Sequence, residues 1–141
     1  DLVDVEAFRE EERTSEEIRK LQSAGVHVIA SFHNFDRTPD REELIRRLTR
    51  MQEMGADVAK IAVMPQSRED VMTLMEATME AVHSLDIPVV TMSMGRLGVL
   101  SRLAGTLTGS AMTFASVGEA SAPGQIPIEQ MRVFCQLLSM K

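Results

Sequence analysis

Asp57-Val-Ala-Lys-Ile-Ala-Val-Met-Pro-Gln66 is the stretch that decides how the chain folds. Val58 to Val63 is apolar at every position but one, and a Pro-containing turn closes it. A strand without polar alternation is covered on both faces, as parallel strands with helical crossovers are. Lys60 interrupts it, with Ala59 and Ile61 on either side. A lysine there is costly unless it is paired, neutral or near an open strand end. Desolvation favours the neutral amine, which is a nucleophile toward carbonyls. Lys60 is therefore the candidate nucleophile. The bland alternative is a lysine with a buried stem whose head reaches water at a strand end.

The same pattern recurs on both sides of this stretch. Upstream, Leu2 to Glu6 alternates apolar residues with Asp4 and Glu6, which share a face at a period of two. Thr14-Ser-Glu-Glu17 fits a capping box, and the helix it starts stops at Gly25. Val26 to Phe32 is a second strand, ending at His33-Asn34-Phe35. Thr38 as cap and Pro39 in the first turn open a helix with Leu44, Ile45, Leu48 and Met51 on one face. Downstream, Ser67 caps a helix whose buried stripe is Val71, Leu74, Met75, Thr78 and Val82. Ile87 to Met92 is the fourth strand, followed by Ser93 to Arg96 and a short helix ending at Gly105. Ser110 to Ala115 reads as a fifth strand, 117–126 as a long loop, and Pro127 onward as a helix with Ile128, Met131, Phe134 and Leu138 on one side.

Serial strand–helix repetition implies an α/β fold with a parallel sheet. An open doubly wound sheet and an arc of an eight-stranded (β/α)₈ TIM barrel both satisfy it. No G-x-G-x-x-G follows any strand, which weighs against the first. In a barrel, active groups gather at the C-terminal strand ends. His33, Lys60, Met92, Met94 and the 117–126 loop all fall there, so the barrel is favoured. Five βα units cannot close eight strands. Residues 1–141 are thus expected to be the C-terminal portion of a single barrel domain, with the N-terminal units absent or supplied by another chain. Asp1-Leu-Val-Asp-Val-Glu6, which reads as strand interior with no initiator Met or signal peptide before it, fits that expectation.

Composition narrows the function classes. The chain has 141 residues, 44% hydrophobic and 26% charged, as for one soluble globular domain. A net charge of −6 and the lack of any dense basic run argue against a nucleic-acid partner. No apolar run reaches membrane-spanning length. The single cysteine, Cys135, excludes an internal disulfide and fits a reducing, cytoplasmic compartment; it is read as a core residue. Three histidines without ligand spacing make no case for a metal.

His33 lies just past one strand and Lys60 within the next. Adjacent strands are about 4.8 Å apart, so the two can meet over the barrel mouth. An amine beside a group titrating near neutrality is the pairing that iminium chemistry needs. Considered alone, His33 is more often a hydrogen-bonded loop histidine; His27, deeper on the same parity, and His83 are read as structural. Arg102, on the short helix, can bind a carboxylate bidentately, although a surface arginine is the default. Ser121 and Gln125 flank Pro123-Gly124 and offer a hydroxyl and an amide to a polyol. Met92 and Met94 can floor the pocket or simply fill a barrel core. Asp4 can orient His33 or Lys60, or be an interior acid paired with a cation elsewhere.

Together these residues resemble the type I 3-dehydroquinate dehydratases of the shikimate pathway. The resemblance is carried by Asp4-Val-Glu6, Val28-Ile-Ala-Ser-Phe-His-Asn34, Lys60 to Gln66, Thr91-Met-Ser-Met94, Ser101-Arg-Leu-Ala-Gly105 and Ser121-Ala-Pro-Gly-Gln125, and it covers essentially the whole chain. Phe32 departs from the family, where a polar residue commonly precedes the histidine, and Asn34 replaces the more usual acid.

The resemblance implies a cofactor-free and metal-free (β/α)₈ lyase, usually a homodimer, of which this chain is the part from the fourth strand on. It implies that Lys60 forms the Schiff base with 3-dehydroquinate and His33 is the general base. It further implies that Arg102, Ser121 and Gln125 bind substrate, that Met92 and Met94 line the pocket, and that Asp4 is an interior acid. The glutamate that positions the histidine is implied to lie in the N-terminal half. The isolated piece is expected to have weak or no activity and to pair with a second copy or with the missing segment. Two rival readings remain: a class I Schiff-base aldolase, and a half-barrel that self-associates with a structural role only.

Overall fold

The structure is a computed structural model and describes residues 1–139. Four parallel strands form one sheet: β1 (Leu2–Glu6), β2 (His27–Asn34), β3 (Val58–Val63) and β4 (Val89–Ser93), side by side in chain order. The helices α1 (Glu11–Ser23), α2 (Arg41–Glu53) and α3 (Arg68–Ser84) connect them. After β4 come the short helices α4 (Val99–Leu103) and α5 (Gly105–Thr108). A two-residue pair, β5 (Ala115–Ser116) with β6 (Ile126–Pro127), leads into α6 (Ile128–Ser139).

Each strand gives alternate residues to opposite faces. One set, with Val28, Ala30, Ala59, Ile61, Val63 and Val89, packs against Ile18, Leu44, Leu48, Met51 and Leu74 of the helices. The other set holds Ile29, Val58, Ala62, Val90 and Met92, joined by Met94 and by Met112 from the later loop. Lys60 belongs by parity to this second face, which explains how a strand buried at all six positions tolerates it. The helical stripes of α2 and α3 fall where the periodicity put them, with Ile45 and Val82 at the margin of the core.

Several boundaries differ from the sequence-based expectations. Thr14 is not a cap: α1 begins at Glu11, and Thr14 Oγ1 donates to the Glu10 carbonyl at 3.0 Å from inside the first turns. Thr14 faces the core, so the helix extends back over two acids that suit its positive end. In α2 the cap is Asp40, whose carboxylate accepts the Glu43 N–H at 2.8 Å, while Thr38 Oγ1 donates to the Met64 carbonyl at 3.1 Å. The second strand runs on through His33 and Asn34, which pair with Ala62 and Val63.

The fifth strand at 110–115 is not formed. Ala111 N–H reaches the Val89 carbonyl at 2.8 Å, but Ser110 Oγ takes the Thr91 N–H at 3.1 Å, replacing a ladder bond with a side chain. The chain then leaves the sheet, and only Ala115–Ser116 pairs, with β6. Cys135 is exposed rather than in the core, and of the expected stripe on α6, Met131 is buried while Phe134 and Leu138 are exposed. His27 is also exposed, at the start of β2 with Nδ1 3.3 Å from Asp57 Oδ1, not deeper in a barrel.

Candidate active site

β3 places Lys60 level with Ser31 on β2 and Val90 on β4. Its amine is not left unpaired in apolar surroundings. Lys60 Nζ donates to Asp4 Oδ2 at 2.6 Å and lies 3.4 Å from His33 Nε2. Of the three ways a buried lysine can be tolerated, pairing is the one found. Asp4 is anchored in turn by Ser31 Oγ, which donates to Oδ1 at 2.5 Å. The Phe114 ring covers the amine, with its centroid 5.2 Å away.

His33 comes from the end of β2. Its backbone N–H donates to Glu6 Oε1 at 3.3 Å, and Nδ1 lies 2.7 Å from Glu6 Oε2. The ring stacks on Phe35 at 6.1 Å. Phe32, despite being the next residue, points to the helical face, where it meets Phe8 edge-on at 5.9 Å and Arg47 Cζ at 3.9 Å. Its departure from the family pattern therefore leaves the imidazole's bonds untouched. His83 is occupied with its own helix, 2.6 Å from the Met79 carbonyl.

Arg102 is buried on α4, not on the surface. Nη2 donates to the Pro123 carbonyl at 3.1 Å, Nη1 lies 3.6 Å from Met92 Sδ, and Nε has no partner among the described residues. Burial pushes this guanidinium below its ordinary pKa, though it stays a cation. Among the described residues no carboxylate meets this buried cation, which leaves its guanidinium able to take an anion. The loop between β5 and β6 folds over it: Gly95 N–H also reaches the Pro123 carbonyl, at 3.1 Å. On this loop Ser121 N–H and Oγ both donate to Gln125 Oε1, at 2.8 and 3.1 Å.

These groups enclose a cavity of about 260 Å³. His33, Lys60, Met92, Met94, Arg102, Ser121 and Gln125 all line it, as do Phe35, Ala62 and Phe114. Asp4 does not; it reaches the cavity only through Lys60. Sequence reasoning missed Glu6, Phe35, Phe114 and Ser31. Glu6 had a signal, its shared parity with Asp4. Phe114 had none, because its segment looked like strand. The positioning acid expected outside this chain has a counterpart inside it, since Glu6 already occupies His33 Nδ1. Among the described residues, no three His, Cys, Asp or Glu side chains are grouped to hold a metal ion, and no helix is long and apolar enough to cross a membrane.

The cavity thus presents an amine, an imidazole and a guanidinium within one small volume, suited to capturing a carbonyl compound that bears a carboxylate. Comparison with known proteins agrees. The family model described as type I 3-dehydroquinase matches residues 1–141. The 3-dehydroquinate dehydratase of Listeria welshimeri is 51% identical over 138 residues, covering 98% of this chain and 55% of the relative. That of Klebsiella pneumoniae is 49% identical over 140 residues, covering 99% and 56%. Among solved structures, the Geobacillus kaustophilus 3-dehydroquinate dehydratase superposes with a TM-score of 0.94 at 47% identity, covering 98% of this chain and 53% of that one. The type I enzyme of Clostridium difficile with covalently modified comenic acid gives 0.93 at 47%, covering 98% and 55%. The chain spans about half the length of the curated relatives it matches.

Proposed function

The chain belongs to the type I 3-dehydroquinase family, and on that footing we propose that it carries the Schiff-base half of a 3-dehydroquinate dehydratase. The observation that supports this most directly is the 3.4 Å separation of Lys60 Nζ and His33 Nε2 inside a cavity that also holds Arg102.

The chemistry follows from that geometry. Lys60 Nζ, relieved of a proton by His33, adds to the ketone carbon of 3-dehydroquinate; the carbinolamine hydroxyl takes that proton back from His33 and leaves as water, giving the iminium and a neutral His33. His33 Nε2 then removes a proton from the neighbouring carbon. The electron pair of that C–H bond moves into the iminium and gives an enamine. Collapse of the enamine expels the β-hydroxyl, which takes the proton from His33 and leaves as water. Hydrolysis of the remaining iminium releases 3-dehydroshikimate and frees Lys60. Arg102 holds the carboxylate, Ser121 and Gln125 the hydroxyls and carboxylate, and Met92 and Met94 the apolar side of the ring. Asp4 holds the resting ammonium and remains beside the iminium as its counter-charge.

In this reading the four-stranded sheet is an arc of a (β/α)₈ barrel, and residues 1–141 are the C-terminal portion of one barrel domain. The exposed Leu2 and Val3 on the unpaired edge of β1 support it, as they leave apolar surface for further strands to cover. The complete enzyme is a cytoplasmic homodimer of the shikimate pathway, needing neither cofactor nor metal. The 141-residue piece alone turns over slowly if at all.

Borohydride reduction in the presence of 3-dehydroquinate tests the assignment, because trapping needs only the imine. A substrate-derived mass on Lys60, lost in Lys60→Ala, is expected. Adduct on Lys20 instead, or dehydration that persists in Lys60→Ala, overturns it.

A further inference from the structure

Two acids on β1 serve the two functional nitrogens separately: Asp4 meets Lys60 Nζ and Glu6 meets His33 Nδ1. We propose that Glu6 is the positioning residue for His33, fixing the tautomer in which Nε2 presents a lone pair to Lys60. The catalytic consequence rests on the dehydratase reading above; the geometry does not.

The register of β1 and β2 explains why Glu6 can do this. Glu6 pairs with Ser31, so His33 lies two residues further along on the same face. A glutamate side chain is long enough to reach forward to it. One oxygen takes the His33 backbone N–H at 3.3 Å and the other approaches Nδ1 at 2.7 Å, so backbone and ring are gripped together. An ionised carboxylate can only accept hydrogen bonds, so the shared hydrogen is on Nδ1. A neutral imidazole carries one N–H, which leaves Nε2 as the acceptor. That nitrogen is the one facing Lys60, 3.4 Å away. The ring lies nearly parallel to that of Phe35, with centroids 6.1 Å apart.

Without the carboxylate, the alternative tautomer with hydrogen on Nε2 becomes accessible. That form turns an N–H toward the Lys60 ammonium, two donors facing each other, and has no lone pair with which to take a proton. The family resemblance places the histidine-positioning glutamate outside this chain. If that is the whole story, changing Glu6 is silent; if Glu6 sets the tautomer, it is not.

Long-range ¹H–¹⁵N spectra of the chain, at a pH where the ring is neutral, read the tautomer directly. The His33 signals are assigned by their loss in His33→Asn. The expected result is a protonated Nδ1 and an unprotonated Nε2 in the native sequence. In Glu6→Gln, only one of the two atoms that gripped His33 is still an acceptor; where the amide nitrogen faces Nδ1 it donates to it, so a measurable fraction converts to the Nε2–H form. A native ring already in the Nε2–H form, or ring shifts unmoved in Glu6→Gln, overturns the proposal. Should Glu6→Gln fail to fold by its backbone amide spectrum, Glu6→Asp is read instead. Its shorter acid withdraws from Nδ1, and unmoved ring shifts again overturn it. In the full-length enzyme, Glu6→Gln is expected to lower kcat on the order of 10²-fold with KM little changed, since Glu6 does not line the cavity. Unchanged kcat there counts against it. Failure to trap an imine at Lys60 in the native protein would refute the dehydratase reading, while the ring shifts would still answer for Glu6.

Discussion

Lys60 Nζ lies 2.6 Å from Asp4 Oδ2 although a whole strand, β2, separates their backbones. The two side chains lean toward each other over Ser31, which stands level with Lys60 and bonds the other Asp4 oxygen at 2.5 Å. The acid therefore ties three strands together while supplying the counter-charge to the amine. Asp4→Asn keeps one acceptor but removes the charge. Because Asp4 is partly exposed, the expected loss is moderate, about 1–3 kcal/mol. Urea denaturation of the two proteins checks this, and an unchanged midpoint would mean that the pair is solvent-screened to nothing.

A second acid, Asp57, gives the fold an acid limb. Gln22 Nε2 donates to it at 3.0 Å and the Val28 N–H at 2.7 Å, with His27 alongside. These bonds, Gln22's foremost, hold its carboxyl below the usual carboxylate range. A folded value below the unfolded one stabilises the fold above the unfolded carboxylate pKa, about 4. The contribution is lost as pH falls through the folded value. Asp57→Asn should thus melt earlier than the native chain at neutral pH, with the gap closing on acidification below about pH 4. Thermal melts across that range test it; a gap independent of pH would assign the effect to packing instead.

How much of this was legible before the structure depended on periodicity. Lys60 stood out because one charge broke an apolar run, and it lines one cavity with His33 and Arg102. The stripes of α2 and α3 followed from spacing alone. Helix starts were misread where a nearby residue of capping type was used for something else, Thr14 inside its helix and Thr38 on the Met64 carbonyl. The 110–115 segment has strand-like residues, but Ser110 supplies by side chain the bond a strand would supply by backbone, and no local pattern reports that. Glu6 and Phe114 acquire their roles only through tertiary contacts, with His33 and Lys60 respectively.

The loop over the cavity closes against glycine. A Cβ on Gly124 would lie 2.4 Å from the Gly95 carbonyl oxygen, and Gly124 has φ +76°. Both facts forbid a side chain where this loop meets the turn after β4. Gly124→Ala should therefore unseat the loop that carries Ser121 and Gln125 while sparing the sheet. Expected are faster protease cleavage within 117–126 and a weaker hold on 3-dehydroquinate, with the melting temperature of the sheet little changed. Native cleavage rates would show that the loop is free already and that the close approach is incidental.

Arg102 separates function from stability most sharply. Its guanidinium is buried, it has no carboxylate partner among the described residues, and its Nε is unsatisfied. A buried charge in that condition weakens the fold, and replacing it with an apolar side chain of similar length removes the penalty. Arg102→Met should consequently raise the urea midpoint of the chain, or at least not lower it, even though a buried residue is being changed. On the dehydratase reading proposed above, the same substitution deprives a substrate carboxylate of its cation, so KM for 3-dehydroquinate in the full-length enzyme should rise on the order of 10²-fold. Opposite signs for stability and binding are the signature of a group kept for its ligand. If Arg102→Met lowers the midpoint like an ordinary core truncation, the contact with Pro123 matters more than the desolvation, and the arginine's first task is to hold the loop.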